Sequence, residues 1–238
     1  MPPHSADGRG NPVVIVAAHD EADRIAATLD ALAEALPDAA IWVADDASGD
    51  GTAAIARARG ARVVSRDRPL GKGANVTAAA EAALSEGANG ELWLLCDADL
   101  GVSARELGSL LDAVRGGGCD LAVAAFKVRS GGGVGAAVGF ARWAIERRCG
   151  YRAAAPISGQ RAMRADTLSA LLPFAAGYGM ETAMTIDAVR AGCRVREIEL
   201  DLEHRATGRT LGGFLHRGRQ LRDIVRAYLS RRREAPRR

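Results

Sequence analysis

The chain has 238 residues, 48% of them hydrophobic and 26% charged, so it is long enough for one sizeable α/β domain and needs no disulfide staples. Its four cysteines are scattered without any C-x-x-C pair, which argues against a zinc site and a disulfide framework. The net charge of +3 conceals a basic C-terminal end, because residues 205–238 contain eleven arginines and two acidic residues.

The basic end indicates an anionic partner, either phosphate groups or an anionic membrane face. We expect no nucleic acid there, because the arginines lack the interleaved aromatic residues of such sites. Residues 1–11 are polar and predicted to be disordered, without the apolar segment of a signal peptide, and no stretch reaches the roughly 18 apolar residues of a transmembrane helix. These features predict a soluble protein of a reducing cytoplasm, with peripheral contact at the inner membrane face as an open option.

Short apolar segments alternate with segments of helical spacing through the first half of the chain. The predicted strands are residues 13–17, 40–44, 62–65, 92–96 and 121–125. The predicted helices are residues 21–36, 53–59, 72–86 and a fourth that begins at Ser103, where Ser103 and Glu106 form a capping box. This alternation predicts an α/β, Rossmann-like fold: a mostly parallel sheet with helices on both faces and a ligand site at the carboxyl ends of the strands.

The second half alternates less regularly. Helices are predicted at residues 140–148, 167–172 and 181–190, followed by an edge strand at residues 194–202. A final amphipathic helix, residues 212–229, carries arginines along one face.

Two carboxylates, Asp97 and Asp99, follow the apolar run at residues 92–96 at the spacing i, i+2. A strand end of this kind aims both acids at one place, where Mg²⁺ or Mn²⁺ and a diphosphate can be held. The alternative is a solvated turn in which Asp97 caps a local backbone group. The preceding buried strand and the βα context favour the metal interpretation.

Asp45 and Asp46 end another predicted strand, where carboxylates accept hydrogen bonds from a base or ribose in dinucleotide folds. The alternative is an Asx turn with a helix cap, which Ser48 or Asp50 would satisfy alone. That alternative leaves the pair of adjacent acids unexplained.

Three further residues stand at positions suited to chemistry. Lys72 precedes a helix between two glycines and can neutralise a phosphate or contact a base, although an exposed turn is the alternative. Glu181 lies in the first turn of its helix, where the helix dipole favours an acid; it can also act as a general base or stabilise a positively charged sugar carbon. His204 is either a third metal ligand or an ordinary surface residue.

These motifs, taken together and in order, resemble a family-2 glycosyltransferase of the GT-A fold. Residues 14–21 resemble the family's hP-A-Y-N-E opening without its usual proline and tyrosine, and residues 43–52 resemble V-D-D-G-S-x-D-G-T. The glycine-flanked Lys72 and the Asp97-Ala98-Asp99 turn follow in the expected order. Residues 158–163 are similar to the family's S-G-F/Q-R segment that lines the sugar site.

The resemblance implies a role for each matching residue. The nucleotide would be contacted by Ala17, Glu21, Asp45, Asp46, Lys72 and Asp97. The metal, Mg²⁺ or Mn²⁺, would be held with the diphosphate by Asp99, with His204 as a distant ligand. Glu181 and Asp99 would be catalytic. The acceptor would be contacted by Ser158, Gly159, Arg161, Arg205 and Arg209.

The C-terminal half resembles two groups within the family. Residues 205–211 are similar to the R-x-x-G-x-S-K-L stretch of polyprenyl-phosphate sugar transferases, whereas residues 177–181 and His204 resemble the glucosyl-3-phosphoglycerate synthases. Both groups use acceptors that carry a phosphate, which arginine side chains bind well. The expected organisation is a nucleotide-sugar-binding half (residues 12–126), an acceptor-binding and catalytic half (residues 127–211), and a basic helix and tail (residues 212–238).

Other classes of protein remain open at this point. A nucleotidyltransferase shares the nucleotide-binding α/β fold and the metal, but opens with a glycine- and arginine-rich loop that residues 17–21 do not provide. A non-catalytic module that binds a sugar nucleotide, or a protein that binds a membrane surface through the basic helix, are the further alternatives.

Overall fold

The computed structural model describes residues 11–127, 135–202 and 211–231, with side chains from residue 218 onward in the last range. Its strands are β1 (Val13–Ala18), β2 (Ala40–Asp45), β3 (Arg62–Ser65), β4 (Leu92–Asp97), β5 (Leu121–Phe126), β6 (Arg161–Arg164) and β7 (Val195–Leu200). Its helices are α1 (Ile25–Ala35), α2 (Thr52–Ala58), α3 (Lys72–Ser85), α4 (Gly108–Arg115), α5 (Ala136–Cys149), α6 (Ala165–Leu171), α7 (Met180–Arg190) and α8 (Leu211–Ser230). Two 3₁₀ segments, Gly101–Leu107 and Gly177–Gly179, precede α4 and α7.

One sheet of seven strands in the order β3-β2-β1-β4-β6-β5-β7 runs through the described residues. All strand pairs are parallel except those of β6, which runs antiparallel between β4 and β5. The predicted α/β architecture with a mostly parallel sheet is therefore confirmed. The edge strand predicted near residue 200 is also confirmed as β7, which pairs only with β5.

Helices cover both faces of the sheet because successive residues of β1 point to opposite sides. Val14 and Val16 join a core with α1 and α4, whereas Val13 and Ile15 join a second core with α3, α6 and α7. Four of the six residues of β1 and five of the six of β4 are buried in unbroken apolar runs, as expected for strands covered on both faces.

Several helix boundaries differ from the sequence prediction: α5 begins at Ala136 rather than at residue 140, and α6 begins at Ala165 rather than at residue 167. The first helix begins at Ile25 rather than at residue 21, because the amides of Glu21 and Ala22 donate hydrogen bonds to side chains of another loop. The capping box predicted at Ser103 is wrong. Its hydroxyl donates to the carbonyl of Leu100, 2.7 Å away, within a 3₁₀ segment, and α4 begins only at Gly108.

The C-terminal helix α8 packs beside α5, α7 and the 3₁₀ segment Gly177–Gly179. Among the side chains of α8 that the structure describes, those of Ile224 and Ala227 are buried. The predicted arginine face, Arg219, Arg222 and Arg226, is exposed. No helix within the described residues is both long enough and apolar enough to cross a bilayer. The predictions for residues 1–10 and 232–238 fall outside the described residues.

Candidate active site

Three neighbouring strands end side by side at one edge of the sheet. In the register of the sheet, Ala18 lies opposite Asp45 of β2, and Ala17 lies opposite Asp97 of β4. The parallel arrangement therefore brings together three of the predicted nucleotide-binding positions that are far apart in the sequence. This edge is the carboxyl end of the strands, where ligands bind in open α/β sheets.

The loops that follow β1 and β2 are joined by hydrogen bonds between side chains and backbone. The amide of Asp20 donates to the hydroxyl of Ser48, and the amide of Glu21 donates to the hydroxyl of Thr52, each over 2.9 Å. Asp50 accepts from the amide of Ala22 at 3.0 Å and from the amide of Thr52 at 3.1 Å. These hydrogen bonds, with that of the Thr52 hydroxyl first among them, lower the pKa of Asp50. The β1 loop, which carries Glu21, is thereby fixed on the β2 loop.

The two adjacent acids after β2 have different surroundings. Asp45 is buried and accepts a 3.3 Å hydrogen bond from the amide of Ser48, as in an Asx turn. Asp46 accepts from the amides of Leu70 and Gly71, at 2.8 and 2.9 Å, one with each carboxylate oxygen. The carboxylate of Asp46 therefore holds the loop before α3, and its contact with the nucleotide stays a prediction.

An ionic cluster lies at the centre of the site. The ammonium of Lys72, the first residue of α3, lies 2.5 Å from Asp97 Oδ1 and 2.8 Å from Glu181 Oε1. The side chain of Glu181 is only 5% exposed and that of Lys72 is 17% exposed. Burial disfavours the charged amine, but the two carboxylates outweigh burial, so the pKa of Lys72 is raised above its ordinary value. Lys72 is thus a counter-ion for both acids, a pairing the sequence did not predict.

The segment before β6 packs directly against this cluster. A Cβ at Gly159 would overlap with the Lys72 ammonium and lie 2.6 Å from Asp97 Oδ2, so a side chain there would displace the ends of these two side chains. The side chain of Gln160 donates a 2.9 Å hydrogen bond to Asp97 Oδ2, while the hydroxyl of Ser158 donates to Gln160 Oε1 at 3.1 Å. Gln160 is a site residue that the sequence analysis missed, although it lies within the S-G-Q-R motif.

Arg161 lies behind the cluster rather than in an open cleft. Its side chain is fully buried, and its guanidinium donates to the carbonyl of Ser158 at 2.8 Å and to the hydroxyl of Thr185 at 2.9 Å. Burial lowers the pKa of Arg161 to about 10, although Glu181 and Glu197 act in the opposite direction. The prediction that Arg161 contacts the acceptor does not fit this buried position. The residue instead supports the loop before β6 and the helix that carries Glu181.

Asp99 is held at the end of β4 by contacts to α1 and the loop before it. Its carbonyl accepts a hydrogen bond from Arg24, and the preceding carbonyl of Ala98 accepts one from Thr28. No group of three possible metal-binding side chains occurs among the described residues, and His204, Arg205 and Arg209 lie outside them. Asp97 and Asp99 nevertheless supply carboxylate oxygens, and Mg²⁺ is typically held by one or two carboxylates together with substrate phosphates. The donor set therefore fits a hard divalent cation.

A mostly parallel sheet whose strands end in carboxylates around a buried lysine is typical of α/β proteins that bind a ligand at the carboxyl ends of their strands. Comparison with known sequences identifies the class more narrowly: the chain belongs to glycosyl transferase family 2, whose model matches residues 13–170. The match covers the sheet from β1 to β6 with its nucleotide-facing loops and the segment before β6. The protein is a glycosyltransferase, and the resemblance noted in its sequence is confirmed.

The relatives of this chain act on two kinds of acceptor. An undecaprenyl-phosphate mannosyltransferase of Micrococcus luteus is 29% identical over 217 residues, which cover 82% of this chain and 85% of the relative. Glucosyl-3-phosphoglycerate synthase of Mycobacterium tuberculosis, solved with phosphoglyceric acid, aligns with a TM-score of 0.74 and 27% identity over 94% of this chain and 80% of the synthase.

Two further structures of that synthase contain metals and nucleotides. The complex with Mn²⁺, UDP-glucose and phosphoglyceric acid aligns with a TM-score of 0.74 and 26% identity, over 94% of this chain and 80% of the synthase. The complex with Mg²⁺ and UDP aligns with a TM-score of 0.74 and 28% identity, over 94% of this chain and 79% of the synthase. The predicted GT-A fold is confirmed by these structures.

Proposed function

We propose that this glycosyltransferase moves a sugar from a nucleoside-diphosphate sugar to an acceptor that carries a phosphate, with Mg²⁺ or Mn²⁺ as cofactor. The observation that carries the proposal is the ionic cluster of Lys72, Asp97 and Glu181 at the carboxyl ends of the strands. The printed descriptions of the relatives support it, because undecaprenyl phosphate and phosphoglyceric acid both contain a phosphate group.

The metal would be held by Asp99 together with Asp97, with His204 as the further ligand that we propose. When bound, the cation supplies Lewis-acid stabilisation of the negative charge on the departing nucleoside diphosphate. The chain fixes its own donors in advance: Asp97 is held by Lys72 and Gln160, and the Asp99 backbone is held by Arg24.

We assign the nucleotide to the three strand ends. Ala17 would lie against the base or ribose, and the Asp45 carboxylate would accept a hydrogen bond from it through the oxygen that does not bind Ser48. Glu21 would contact the nucleotide from the loop that the Thr52 hydroxyl fixes. Asp46 would act indirectly, by holding the loop that leads to Lys72.

Glu181 is suited to stabilise positive charge on the sugar carbon. It is buried and its carboxylate is paired with the Lys72 ammonium, which holds the carboxylate in place. An attacking phosphate oxygen is already ionised near neutral pH and needs no general base. A charge-stabilising role for Glu181 therefore agrees with a phosphate oxygen as nucleophile, whereas a hydroxyl acceptor would require Glu181 to take a proton.

We place the acceptor's phosphate beside the segment before β6 and the predicted Arg205 and Arg209. Ser158 and Gly159 form the wall of the cluster on that side, and guanidinium groups bind phosphate oxygens with two parallel hydrogen bonds. Arg161 supports this wall from within the core.

One surface favours an acceptor carried by a membrane. Trp143 is 48% exposed although its ring lies 5.4 Å from that of Phe140 and 5.0 Å from that of Tyr228. On α8, the helix that carries Tyr228, Leu229 is 46% exposed and Arg226 is also exposed. Aromatic rings and arginines of this kind suit the interface of an anionic membrane. We therefore infer peripheral contact of a cytoplasmic enzyme with the inner membrane face, for which salt-sensitive flotation with anionic liposomes is the test.

The proposed function is tested by offering the purified protein a panel of nucleotide sugars with and without metal. Nucleoside diphosphate release is measured alone, with phosphoglycerate, and with a short polyprenyl phosphate. We expect release that requires Mg²⁺ or Mn²⁺ and is stimulated by one of the two phosphate acceptors. Release that persists in chelator, or that is stimulated only by acceptors without a phosphate, would refute the proposal.

A further inference from the structure

We infer that Asp223 of α8 is a positioning residue for the end of α7 that carries Glu181, an inference that rests on the proposed function. Asp223 acts through the 3₁₀ segment Gly177–Gly179, here called the glycine turn. The glycine turn leads directly into α7, and Glu181 is the second residue of that helix. A contact that holds the glycine turn in place therefore also holds the backbone from which the Glu181 side chain extends.

On one side the glycine turn is packed against α8. The amide of Tyr178 donates to Asp223 Oδ2 over 3.3 Å. A Cβ at Gly177, which has a φ of +64°, would overlap with the Asp223 carboxylate, and a Cβ at Gly179 would lie 2.9 Å from Cβ of Ala227. The absence of side chains thus lets α8 pack directly on the backbone of the turn.

On the other side the glycine turn is packed against the start of α3. A Cβ at Gly71 would lie 3.1 Å from Cα of Gly177, and a Cβ at Gly73 would overlap with the carbonyl of Ala175. Lys72 stands between these two glycines. The turn is therefore clamped between Asp223 and the segment that carries Lys72, so a shift of the turn changes the 2.8 Å contact between Lys72 and Glu181.

The charge of Asp223 is balanced by α8 itself. Its side chain is 12% exposed, and Oδ1 lies 3.3 Å from Arg222 and 3.9 Å from Arg226, both of which are exposed. The Tyr178 phenol is half-buried nearby, and burial raises its pKa while the charges of Lys72 and Glu181 act on it in opposite directions. The Asp223 carboxylate thus lies between two exposed arginines and the glycine turn, which is beside the ionic cluster. Through this carboxylate α8 is connected to the site, although the carboxylate itself does not touch the substrate.

A matched control exists on the same two elements. Asp187 of α7 accepts hydrogen bonds from Arg231, the residue just after α8, with Nε 2.8 Å from each carboxylate oxygen. This link also ties the C-terminal end of the chain to α7, but it lies six positions beyond Glu181. Asp187→Ala therefore removes a comparable anchor without touching the glycine turn.

The test compares Asp223→Ala, Asp223→Asn and Asp187→Ala with the wild-type protein. We expect Asp223→Ala to lower kcat about tenfold or more with little change in donor KM, because misplacing a reacting group by an ångström costs turnover. Asn keeps an oxygen that accepts from Tyr178, so Asp223→Asn should restore most of kcat. Asp187→Ala should stay close to wild type. Amide exchange in residues 175–181 should quicken in Asp223→Ala and stay unchanged in Asp187→Ala.

Wild-type kcat in Asp223→Ala, an equal loss in Asp187→Ala, or an Asn variant as impaired as the Ala variant would each overturn the positioning role. A wild-type protein without metal-dependent transfer would refute the proposed function instead. The exchange comparison would then still decide whether Asp223 fixes the glycine turn, because it does not depend on turnover.

Discussion

Glu181 Oε1 lies 2.8 Å from the ammonium of Lys72, although the two residues begin different helices, α7 and α3. The same ammonium lies 2.5 Å from Asp97 at the end of β4. One cation therefore joins the end of β4 to the first turn of α7. The predictions below follow from this arrangement and from the packing around it.

Replacing Lys72 with Met should leave two buried carboxylates without their cation. Removing one partner of a buried ion pair costs roughly 3–5 kcal/mol, so we expect a lower free energy of unfolding together with a large loss of turnover. Urea unfolding and nucleoside diphosphate release measure the two effects. The control is Lys127→Met at an exposed position. Equal effects of the two variants would contradict the role of Lys72 as the counter-ion of Asp97 and Glu181.

Gly159→Ala should lower turnover strongly while lowering the stability of the fold only slightly. Its new Cβ would overlap with the Lys72 ammonium, which can move away because it is the end of a flexible side chain. The ion pairs of Lys72 with Asp97 and Glu181 would then lengthen, while the packing of the core is kept. We expect turnover to fall about tenfold or more with a small change in stability. Gly139→Ala in α5, where a Cβ meets no atom within 4 Å, is the control and should be active. An unimpaired Gly159→Ala enzyme would show that the contact is unimportant.

Asp46→Ala should release the loop before α3. The amides of Leu70 and Gly71 would lose their acceptor, and leaving such groups unpaired costs about 1–3 kcal/mol each where water cannot replace the partner. The expected result is lower stability and a higher KM for the donor, because Lys72 follows this loop directly. Asp30→Ala, which breaks the surface pair with Arg59, should have a much smaller effect. A donor KM unchanged in Asp46→Ala would count against the indirect role.

Asp99→Ala should abolish metal-dependent transfer while the fold is retained. The variant loses a carboxylate that we propose to hold the cation, so turnover should fall by about three orders of magnitude or more. Thermal stabilisation by Mn²⁺ plus UDP, measured without any acceptor, should be lost as well. Asp112→Ala on the exposed face of α4 is the control for removal of a carboxylate. An active Asp99→Ala enzyme would remove Asp99 from the proposed mechanism.

The pair of Asp120 and Arg194 predicts an acid-sensitive contribution to stability. Hydrogen bonds from the Arg194 side chain and backbone lower the pKa of Asp120 to about 2. A carboxyl group whose pKa is lower in the folded than in the unfolded protein stabilises the fold above the unfolded value, and the contribution is lost as pH falls from about 4 through 2. Because Arg194 is largely exposed and solvent screens the pair, we expect a contribution of about 1 kcal/mol or less at neutral pH.

Urea unfolding of the wild type and Asp120→Asn at pH 7 and at pH 3 measures this effect. The difference in unfolding free energy between the two proteins should be smaller at pH 3. A difference that is equal at both pH values would show that the pair does not contribute through its charge.

The sequence predicted those parts of the fold that depend on local pattern. The apolar runs of β1 and β4 and the acids that end β2 and β4 indicate the parallel sheet and its ligand edge, because each signal lies within a few consecutive residues. Strand β6 was missed because its four residues, which begin and end with arginine, show no apolar run. Its place between β4 and β5 is set by tertiary pairing rather than by its own composition.

The sequence predicted which residues lie in the candidate site, but not which of them form ion pairs or hydrogen bonds with one another. Lys72 and Glu181 were each singled out, yet nothing in either motif shows that they form an ion pair. Gln160 and Asp223 were missed because their roles come only from what lies opposite them, Asp97 in one case and the amide of Tyr178 in the other. A hydrogen-bond partner far away in the chain leaves no trace in one sequence.

The reversed direction of β6 has a consequence for how the enzyme can vary. In a parallel strand the chain leaves the sheet at the ligand edge, whereas in β6 the chain enters there, since Arg161 pairs with Leu95 near the carboxyl end of β4. Residues 158–160 therefore reach the site on their way into the sheet. The connection between α5 and β6 can change in length or composition and present a different wall to the ionic cluster, while the parallel strands beside it stay as they are.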